Sequence, residues 1–301
     1  MMEAMTPPGV TVGTDSSNAA TITRLRPGAE VDAIFACVRK DRLMTRTGSP
    51  YLALELRDRS GTIQARAFRD ADALAGRFDR GDLVRAAGRV ERFRDELVLE
   101  VVEIERSGAA DPSQFLPTAY RDLDELEGFL EHLAREVHDR QFRALLERLL
   151  GDRALRQAWR RAPCSRAGHH AYLGGLLEHT VAVTTLAQEL CQLHPRLQSD
   201  LLITAAITHD LGRTREFTYG AEIGLTEEGR LLGHLVIGER ILSQHAGALE
   251  ESRWLALLHC VLCHHGPTTA PGGRFASPEA LALYRLNALD AGVKGAFEQG
   301  L

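Results

Sequence analysis

The sequence predicts an α+β protein of two domains, a five-stranded β-barrel followed by an all-α domain. Between residues 29 and 106 apolar and polar residues alternate, which is the period of half-buried strands. After Asp111-Pro112 the period changes to that of amphipathic helices and remains so to the C-terminus. None of the 12 histidines precedes residue 132, so the candidate chemistry lies in the second domain.

The composition limits the function classes. A chain of 301 residues with 44% hydrophobic and 26% charged residues is typical of a globular protein with an ordinary core. The net charge of −5 excludes a polycation that coats nucleic acid, so any nucleic-acid site must be a local patch. The 5 scattered cysteines do not resemble a disulfide framework, and no signal peptide or membrane span is predicted. We therefore expect a reduced, cytoplasmic protein.

The predicted domain boundaries follow these changes in pattern. Residues 1–23, rich in Pro, Gly, Ser and Thr, are expected to form a flexible tail, 24–108 the barrel and 109–301 the helical domain. Five short strands separated by turn signals favour a small closed barrel. The predicted strands are 33–38, 51–58, 62–68, 83–91 and 96–105.

In the second domain, helices are predicted at 124–137 and 141–151. The most informative helix is SDLLITAAIT at 199–208, with a Ser/Asp cap, because a helix that is apolar on nearly all sides is expected to be buried. The helical pattern is expected to break at three stretches that contain Gly or Pro. These are 163–168, 218–224 and 266–278.

His209 and Asp210 directly follow this buried helix. A buried carboxylate is costly unless hydrogen bonds or a cation compensate, and imidazole with carboxylate suits Mn, Fe, Ni, Co or Zn. An isolated His-Asp pair is also compatible with a purely structural hydrogen bond, but further candidate ligands favour a metal. They are His179, His234, His264, His265 and Asp290.

This order of residues supplies enough ligands for two metals that share the Asp210 carboxylate, although a single metal is not excluded. Two ions about 3.5–4 Å apart can clamp a phosphate and hold the attacking hydroxide. The residues therefore indicate a metal site of a kind that can act on a phosphate.

Five motifs in order resemble the HD domain of the YhaM-type 3′→5′ exoribonucleases. The motifs are SRAGHHAYLGGLLEHT (165–180), HDLGR (209–213), GRLLGH (229–234), CHHG (263–266) and SPEALALYRLNALDA (277–291). Proteins of that family place an OB-fold nucleic-acid-binding domain before the HD domain, and the segment 47–68 resembles this module. The resemblance covers residues 29–295, nearly the whole chain.

The resemblance implies a metal-dependent 3′→5′ exonuclease that hydrolyses single-stranded RNA, and also allows single-stranded DNA, to nucleoside monophosphates. It implies two divalent metal ions. Mn is the ion we expect first, and Fe, Ni, Co, Mg and Zn are the alternatives. Asp210, Arg213 and His170 would be catalytic, the latter two stabilising charge on the substrate phosphate. The implied metal ligands are His179, His209, Asp210, His234, His264, His265 and Asp290.

Three positions depart from the pattern of the family. Arg213 stands where Lys is common, which changes the reach of the cation, and Phe68 stands where Trp is usual, which should preserve base stacking. Asn287 stands where the first of two acids is expected. Asn287 and Asp290 lie one helical turn apart, so either could approach the metals, and we favour Asp290 as the ligand.

In the barrel, a basic loop beside an aromatic residue is the combination that tracks a single strand, with an ordinary solvated loop as the alternative. The predicted nucleic-acid-binding residues are Arg39, Lys40, Arg42, Arg46, Tyr51 and Phe68. A second face of the groove would consist of Arg85, Arg89, Arg92 and Arg94.

In the helical domain, Cys260 and Cys263 lack a suitably spaced second pair of ligands for a zinc site and are expected to pack in the core.

Two other functions are left open. One is a phosphohydrolase of small nucleotides in which the barrel serves as a sensing or oligomerisation module. The other is a single-strand-binding protein with a decayed HD site, of which Asn287 would be the first loss. The oligomeric state is also open, a homo-oligomer included, and no membrane partner is expected.

Overall fold

The computed structural model describes residues 21–108, 111, 114–298 and 300. The chain divides into two compact units, Met1–Phe115 and Leu116–Leu301, whereas the sequence predicts a boundary after residue 108. Most of the tail predicted at 1–23 lies outside the described residues.

The first unit is a closed five-stranded barrel, so the predicted architecture of this part is confirmed. The strand order is β1-β2-β3-β5-β4, and only the β3–β5 pair among the described strands is parallel. Alternate side chains such as Leu52, Leu54 and Leu56 fill the interior because successive residues of a strand face opposite sides. The strands are β1 (Glu30–Met44), β2 (Pro50–Asp58), β3 (Gly61–Ala67), β4 (Leu83–Phe93) and β5 (Glu96–Arg106), and a short helix α1 (Ala71–Ala75) follows β3.

Strand β1 is much longer than the predicted segment 33–38. A bulge between Cys37 and Arg39 shifts its register, after which pairing with β2 continues to Met44. Arg39, Lys40 and Arg42 therefore lie in a strand, and the prediction that they belong to a loop is wrong. Apolar alternation ends at the bulge, so the periodicity could not reveal the second half of this strand.

The second unit is helical apart from one small hairpin, β6 (Phe217–Tyr219) with β7 (Ile223–Leu225), among the residues described. The predicted breaks at 163–168 and 218–224 fall between helices, and the third, 266–278, contains two short 3-10 helices and ends where α10 begins. The helices are α2 (Leu123–Arg135), α3 (Arg140–Gly151), α4 (Arg153–Arg161), α5 (Gly175–Leu193), α6 (Ser199–Thr208), α7 (Arg213–Glu216), α8 (Glu227–His245), α9 (Glu251–Cys263) and α10 (Pro278–Glu298).

Helix α6 is the centre of this unit and has the predicted bounds. Every residue from Leu201 to Thr208 is buried, and α5, α9 and α10 pack around it. The expected Ser/Asp cap is absent, because Asp200 instead accepts hydrogen bonds from the amides of His138 and Asp139. The buried helix thus delivers the two residues that follow it to the interior. In the described part of the chain, no helix combines the length and apolarity needed to cross a membrane.

Candidate metal centre and aromatic platform

Seven of the predicted site residues come from five different helices and meet in the helical unit. His209 and Asp210 follow α6, His264 and His265 follow α9, and the others project from α5, α8 and α10. Four overlapping groups have ligand atoms within 4.8 Å of one another. The groups are Asp210-His234-His264-His265, His179-His209-Asp210, His170-His179-Asp290 and Cys164-His169-His179.

The two carboxylate oxygens of Asp210 face different sets of imidazoles. Oδ2 lies 3.7 Å from Nε2 of His209 and 3.9 Å from Nε2 of His179. Oδ1 lies 3.3 Å from Nε2 of His234 and 3.4 Å from Nε2 of His264. His265 joins the second set through a 2.7 Å contact between its Nε2 and that of His234. Asp210 is therefore placed to bridge two donor sets.

Hydrogen bonds on the opposite ring edges orient three of these histidines. The Nδ1 of His209 faces the carbonyl of Ala206 at 2.8 Å, and that of His264 faces the carbonyl of Val261 at 2.6 Å. The Nδ1 of His179 lies 2.6 Å from Oδ2 of Asp290. In each pair Nδ1 is placed to donate, which directs Nε2 of the ring to the centre.

Electrostatics favour a cation between these atoms. Burial opposes the ionisation of Asp210, but Arg213 and the surrounding imidazoles outweigh it and hold the pKa of Asp210 well below its usual range. Burial also lowers the pKa of His209 well below its usual value, so this ring is neutral. An imidazole lone pair that faces a carboxylate is repulsive unless a cation lies between them.

The donor atoms fit a divalent metal. Ligand atoms at about 2.0–2.1 Å from a tetrahedral ion lie about 3.3–3.4 Å apart, and here Nε2 of His179 lies 3.2 Å from Nε2 of His209. In the described part of the chain, Oδ1 of Asp210 and Nε2 of His264 are buried without a hydrogen-bond partner. Such buried, unsatisfied atoms are expected where an ion completes the site.

The contacts with His179 show whether Asn287 or Asp290 is better placed to be the last metal ligand. Oδ1 of Asn287 lies 3.0 Å from Nε2 of His179, on the side of the cluster that faces Asp210. Its Nδ2 donates to the carbonyl of His264, which fixes the direction of the amide oxygen. Asp290 instead faces Nδ1 of His179, at the other edge of the ring. This geometry favours Asn287 over the predicted Asp290 as the oxygen ligand.

The other two residues predicted to be catalytic have internal partners. Nε2 of His170 lies 2.9 Å from Asp290 and Nδ1 lies 2.9 Å from the hydroxyl of Tyr172, so both ring nitrogens are engaged. Arg213 is buried against Asp210 at 3.4 Å and donates to Glu216 at 2.7 Å. Arg213 therefore supplies the positive charge nearest the bridging carboxylate on its Oδ1 side.

Glu216 was not predicted, yet it organises the Oδ1 side. Its Oε1 accepts from the amide of His234, directly after Gly233 breaks α8 with a φ of 68°. Only glycine adopts such a conformation readily, so the Gly-His pair of GRLLGH was the available signal. Cys164 and His169 are also near the site and were not predicted as site residues: Cys164 directly precedes the first motif, and His169 lies within it but received no role.

Gly212→Ala is expected to disturb the Oδ1 side. A Cβ at this position would lie 1.9 Å from the carbonyl oxygen of His234 and 2.6 Å from the amide of Gly238, so α8 would have to move. We expect a loss of about 1–3 kcal/mol in the free energy of unfolding, together with weaker metal retention. Thermal unfolding and elemental analysis measure both. Gly220→Ala is the matched control, because nothing lies within 4 Å of its Cβ, and equal effects in both variants would contradict this packing argument.

The barrel carries an aromatic pair on its outer surface. The rings of Tyr51 on β2 and Phe68 after β3 stack with centroids 5.2 Å apart, and Phe68 is 46% exposed. A second exposed ring, Phe93, lies 4.2 Å from the Arg66 guanidinium. Exposed aromatic rings beside cations suit base stacking and phosphate contact. Phe93 was missed because it lies outside the segment that resembles the OB-fold module, and Arg66 because nothing within that segment singled it out.

The basic residues of the barrel that were predicted to bind nucleic acid differ in their exposure and in their ion pairs. The ammonium of Lys40 donates to the carbonyls of Ala75 and Phe78, and only 15% of the side chain is exposed, which gives no support to strand binding. Arg39 and Arg42 are exposed but paired with Asp41 and Asp72, and Arg46 is exposed in the β1–β2 turn. On the second predicted face, three arginines lie beside acids. Arg85 is paired with Asp32, Arg89 with Glu30 and Glu91, and Arg92 with Asp95. The fourth, Arg94, lies 5.3 Å from the Phe93 ring.

Both units match known domain families. A model described as the HD domain matches residues 176–292, and one described as an OB-fold nucleic acid binding domain matches residues 29–106. A solved structure, the second OB-fold domain of replication protein A from Methanococcus maripaludis, matches 31% of this chain and 99% of that chain, with 18% identity and a TM-score of 0.26. The two family models therefore place the histidine cluster in an HD domain and the Tyr51–Phe68 pair in an OB-fold domain.

Relatives match nearly the whole chain. The 3′-5′ exoribonuclease YhaM of Shouchella clausii is 30% identical over 281 residues, which cover 88% of this chain and 85% of that protein. The chain belongs to the YhaM family. The 3′-5′ exoribonuclease YhaM of Bacillus velezensis is 29% identical over 272 residues, with 88% and 85% coverage. Membership of the YhaM family confirms the resemblance predicted from the five motifs of the helical domain.

Proposed function

We propose that this member of the YhaM family is a metal-dependent 3′→5′ exonuclease that hydrolyses single-stranded RNA to nucleoside monophosphates. The observation that carries the proposal is the pair of donor sets on the two oxygens of Asp210. The names of the relatives support the polarity and the choice of RNA. A cytoplasmic location remains a prediction from the sequence.

We assign the Oδ2 side of Asp210 to one divalent ion and the Oδ1 side to a second. Bound there, the ions would polarise phosphate oxygens and lower the pKa of a water molecule. The proposed ligands are His179, His209 and Asn287 on the Oδ2 side and His234, His264 and His265 on the Oδ1 side. Asp290 is proposed to orient His179 through Nδ1.

The remaining charged residues position these ligands and the substrate. Arg213 would stabilise charge that develops on a phosphate oxygen, because it is the buried cation beside Asp210. Glu216 holds both Arg213 and the amide of His234. His170 stays a predicted phosphate contact, but this role requires its ring to exchange Asp290 or Tyr172 for the substrate.

In this proposal the OB-fold domain binds the single strand and the HD domain cleaves it. Tyr51 and Phe68 would stack on bases, and Arg39, Arg46 and Arg66 would contact phosphates. The same stacking surface would accept single-stranded DNA, so the preference for RNA must come from contacts to the 2′-hydroxyl.

The expected activity is stepwise shortening from the 3′ end. A 5′-labelled single-stranded RNA incubated with the full-length protein and Mn²⁺ or Co²⁺ should give a descending ladder and release nucleoside monophosphates. The same RNA with a blocked 3′ end should resist hydrolysis, and a matched single-stranded DNA shows the sugar preference. Equal cleavage of the blocked strand would overturn the polarity.

Two other outcomes would replace the proposal. Hydrolysis of mononucleotides that RNA fails to inhibit would identify a phosphohydrolase of small nucleotides. Tight strand binding without retained metal or hydrolysis would identify a binding protein with a decayed site. Cross-linking or light scattering on the same sample determines whether the protein is a homo-oligomer.

A further inference from the structure

The Oδ2 side of Asp210 is poor in negative charge for a site that binds a divalent ion. His179 and His209 contribute imidazoles, Asn287 contributes a neutral amide oxygen, and the charge of Asp210 is shared with the Oδ1 side. Among these three ligands and Asp210, the shared carboxylate is therefore the one source of negative charge on this side.

A thiol lies at this same side. Sγ of Cys164 is 3.5 Å from Oδ2 of Asp210, and the residue is fully buried. Cys164 also belongs to a group with His169 and His179 whose ligand atoms lie within 4.8 Å of one another. The backbone that carries this thiol is held in place, because the amide of Cys164 donates to the carbonyl of His170 at 3.1 Å.

His169 supports a role in binding a ligand. Its Nδ1 is buried and has no hydrogen-bond partner among the described residues, and its ring centroid lies 5.3 Å from that of His179. In the tautomer that carries its proton on Nε2, this unsatisfied Nδ1 can donate a lone pair to a cation.

We propose that Cys164 is a thiolate ligand of the metal on the Oδ2 side and supplies the negative charge that the neutral amide of Asn287 does not. On binding, the S–H proton leaves to solvent as the sulfur–metal bond forms. Metal–sulfur and metal–oxygen bonds of about 2.3 and 2.0 Å at a tetrahedral angle place the two ligand atoms about 3.5 Å apart. This matches the observed distance between Sγ of Cys164 and Oδ2 of Asp210.

The alternative is that Cys164 is an ordinary core residue, since free cysteine often packs as a small hydrophobic side chain. Its surroundings argue against this, because its Sγ lies 3.5 Å from a carboxylate oxygen and within 4.8 Å of ligand atoms of two imidazoles, and it belongs to none of the apolar clusters found among the described residues. Cys260 and Cys263 show the contrast: both are buried in α9, and Cys260 belongs to the apolar core.

A thiolate changes which metal this side prefers. Sulfur ligands favour Zn²⁺, Co²⁺ or Fe²⁺ over Mn²⁺, which prefers oxygen ligands. The Oδ2 side should therefore select a more thiophilic ion than the Mn²⁺ expected from the sequence. The inference rests on the metal centre of the proposed function but not on its substrate.

Cobalt absorption tests the assignment without relying on activity. Full-length protein is stripped of metal with a chelator and titrated with Co²⁺, which gives a sulfur-to-cobalt charge-transfer band in the near ultraviolet only when a thiolate is bound. We expect the band in the wild type and in Cys191→Ser, a control on α5 outside every ligand group described. The band should be lost in Cys164→Ser and Cys164→Ala.

Circular dichroism and Co²⁺ content verify that the Cys164 variants fold and still bind metal. A wild-type spectrum without the band, or a band that persists in Cys164→Ser, overturns the inference even if no Cys164 variant folds well. RNA hydrolysis is assayed separately with Mn²⁺ and Co²⁺. Cobalt bound without the band, together with normal hydrolysis, would refute only the thiolate, whereas the band without hydrolysis would refute only the exonuclease.

Discussion

Asp210→Asn is expected to abolish metal retention and to lower the rate of RNA hydrolysis by about 10³-fold or more. Metal assistance lowers the activation free energy by several kcal/mol, and each tenfold change in rate corresponds to about 1.4 kcal/mol. The substitution preserves shape but removes the charge shared by both donor sets. It also leaves the buried Arg213 with Glu216 as its remaining carboxylate partner. Elemental analysis of the purified protein and initial rates on labelled RNA measure the two effects.

Glu189→Gln is the matched control for this carboxylate-to-amide change. Glu189 lies on α5, the helix of His179, but is exposed and belongs to none of the ligand groups described. The control should retain metal and activity, and far-ultraviolet circular dichroism should show that both variants are folded. If Asp210→Asn kept its metal and hydrolysed RNA within tenfold of the wild type, the bridging role of Asp210 would have to be abandoned.

The sequence predicted the parts of this protein that repeat a simple period or a known motif. Helix α6 has the predicted bounds because its apolar run is continuous and ends at His209. The barrel strands followed from alternation, except where the bulge after Cys37 interrupted the pattern. The stacking of Tyr51 on Phe68 could not be predicted, because it depends on the register that places β2 and β3 side by side.

The metal centre shows the same limit at the level of single atoms. Positions 287 and 290 share a face of α10, so sequence spacing could not tell which side chain faces Nε2 of His179 and which faces Nδ1. The tilt of the His179 ring decides this, and it depends on packing between helices far apart in the chain. Cys164 lies in the loop before α5, where no periodicity applies, so only the folded structure brings it to Asp210.

Tyr51→Ala and Phe68→Ala are expected to weaken the binding of single-stranded RNA by about five- to 150-fold each, because stacking on one base is worth about 1–3 kcal/mol. The two rings stack on each other, so removal of either also exposes a face of its partner, and the double variant should lose less than the sum of the single effects. Fluorescence anisotropy with a labelled RNA measures the affinity.

The substrate length separates binding by the barrel from damage to the HD site. With a long RNA, both variants should raise KM and leave kcat near the wild-type value, whereas cleavage of a dinucleotide should be almost unchanged. Val102→Ala, another exposed position on the barrel, is the control for an apolar truncation without an aromatic ring. Phe68→Trp should retain or strengthen binding, because the larger ring offers more area to a base. Unchanged affinity in Phe68→Ala, or an equal loss in Val102→Ala, would show that the strand binds elsewhere on the protein, since a stacking platform must depend on its rings.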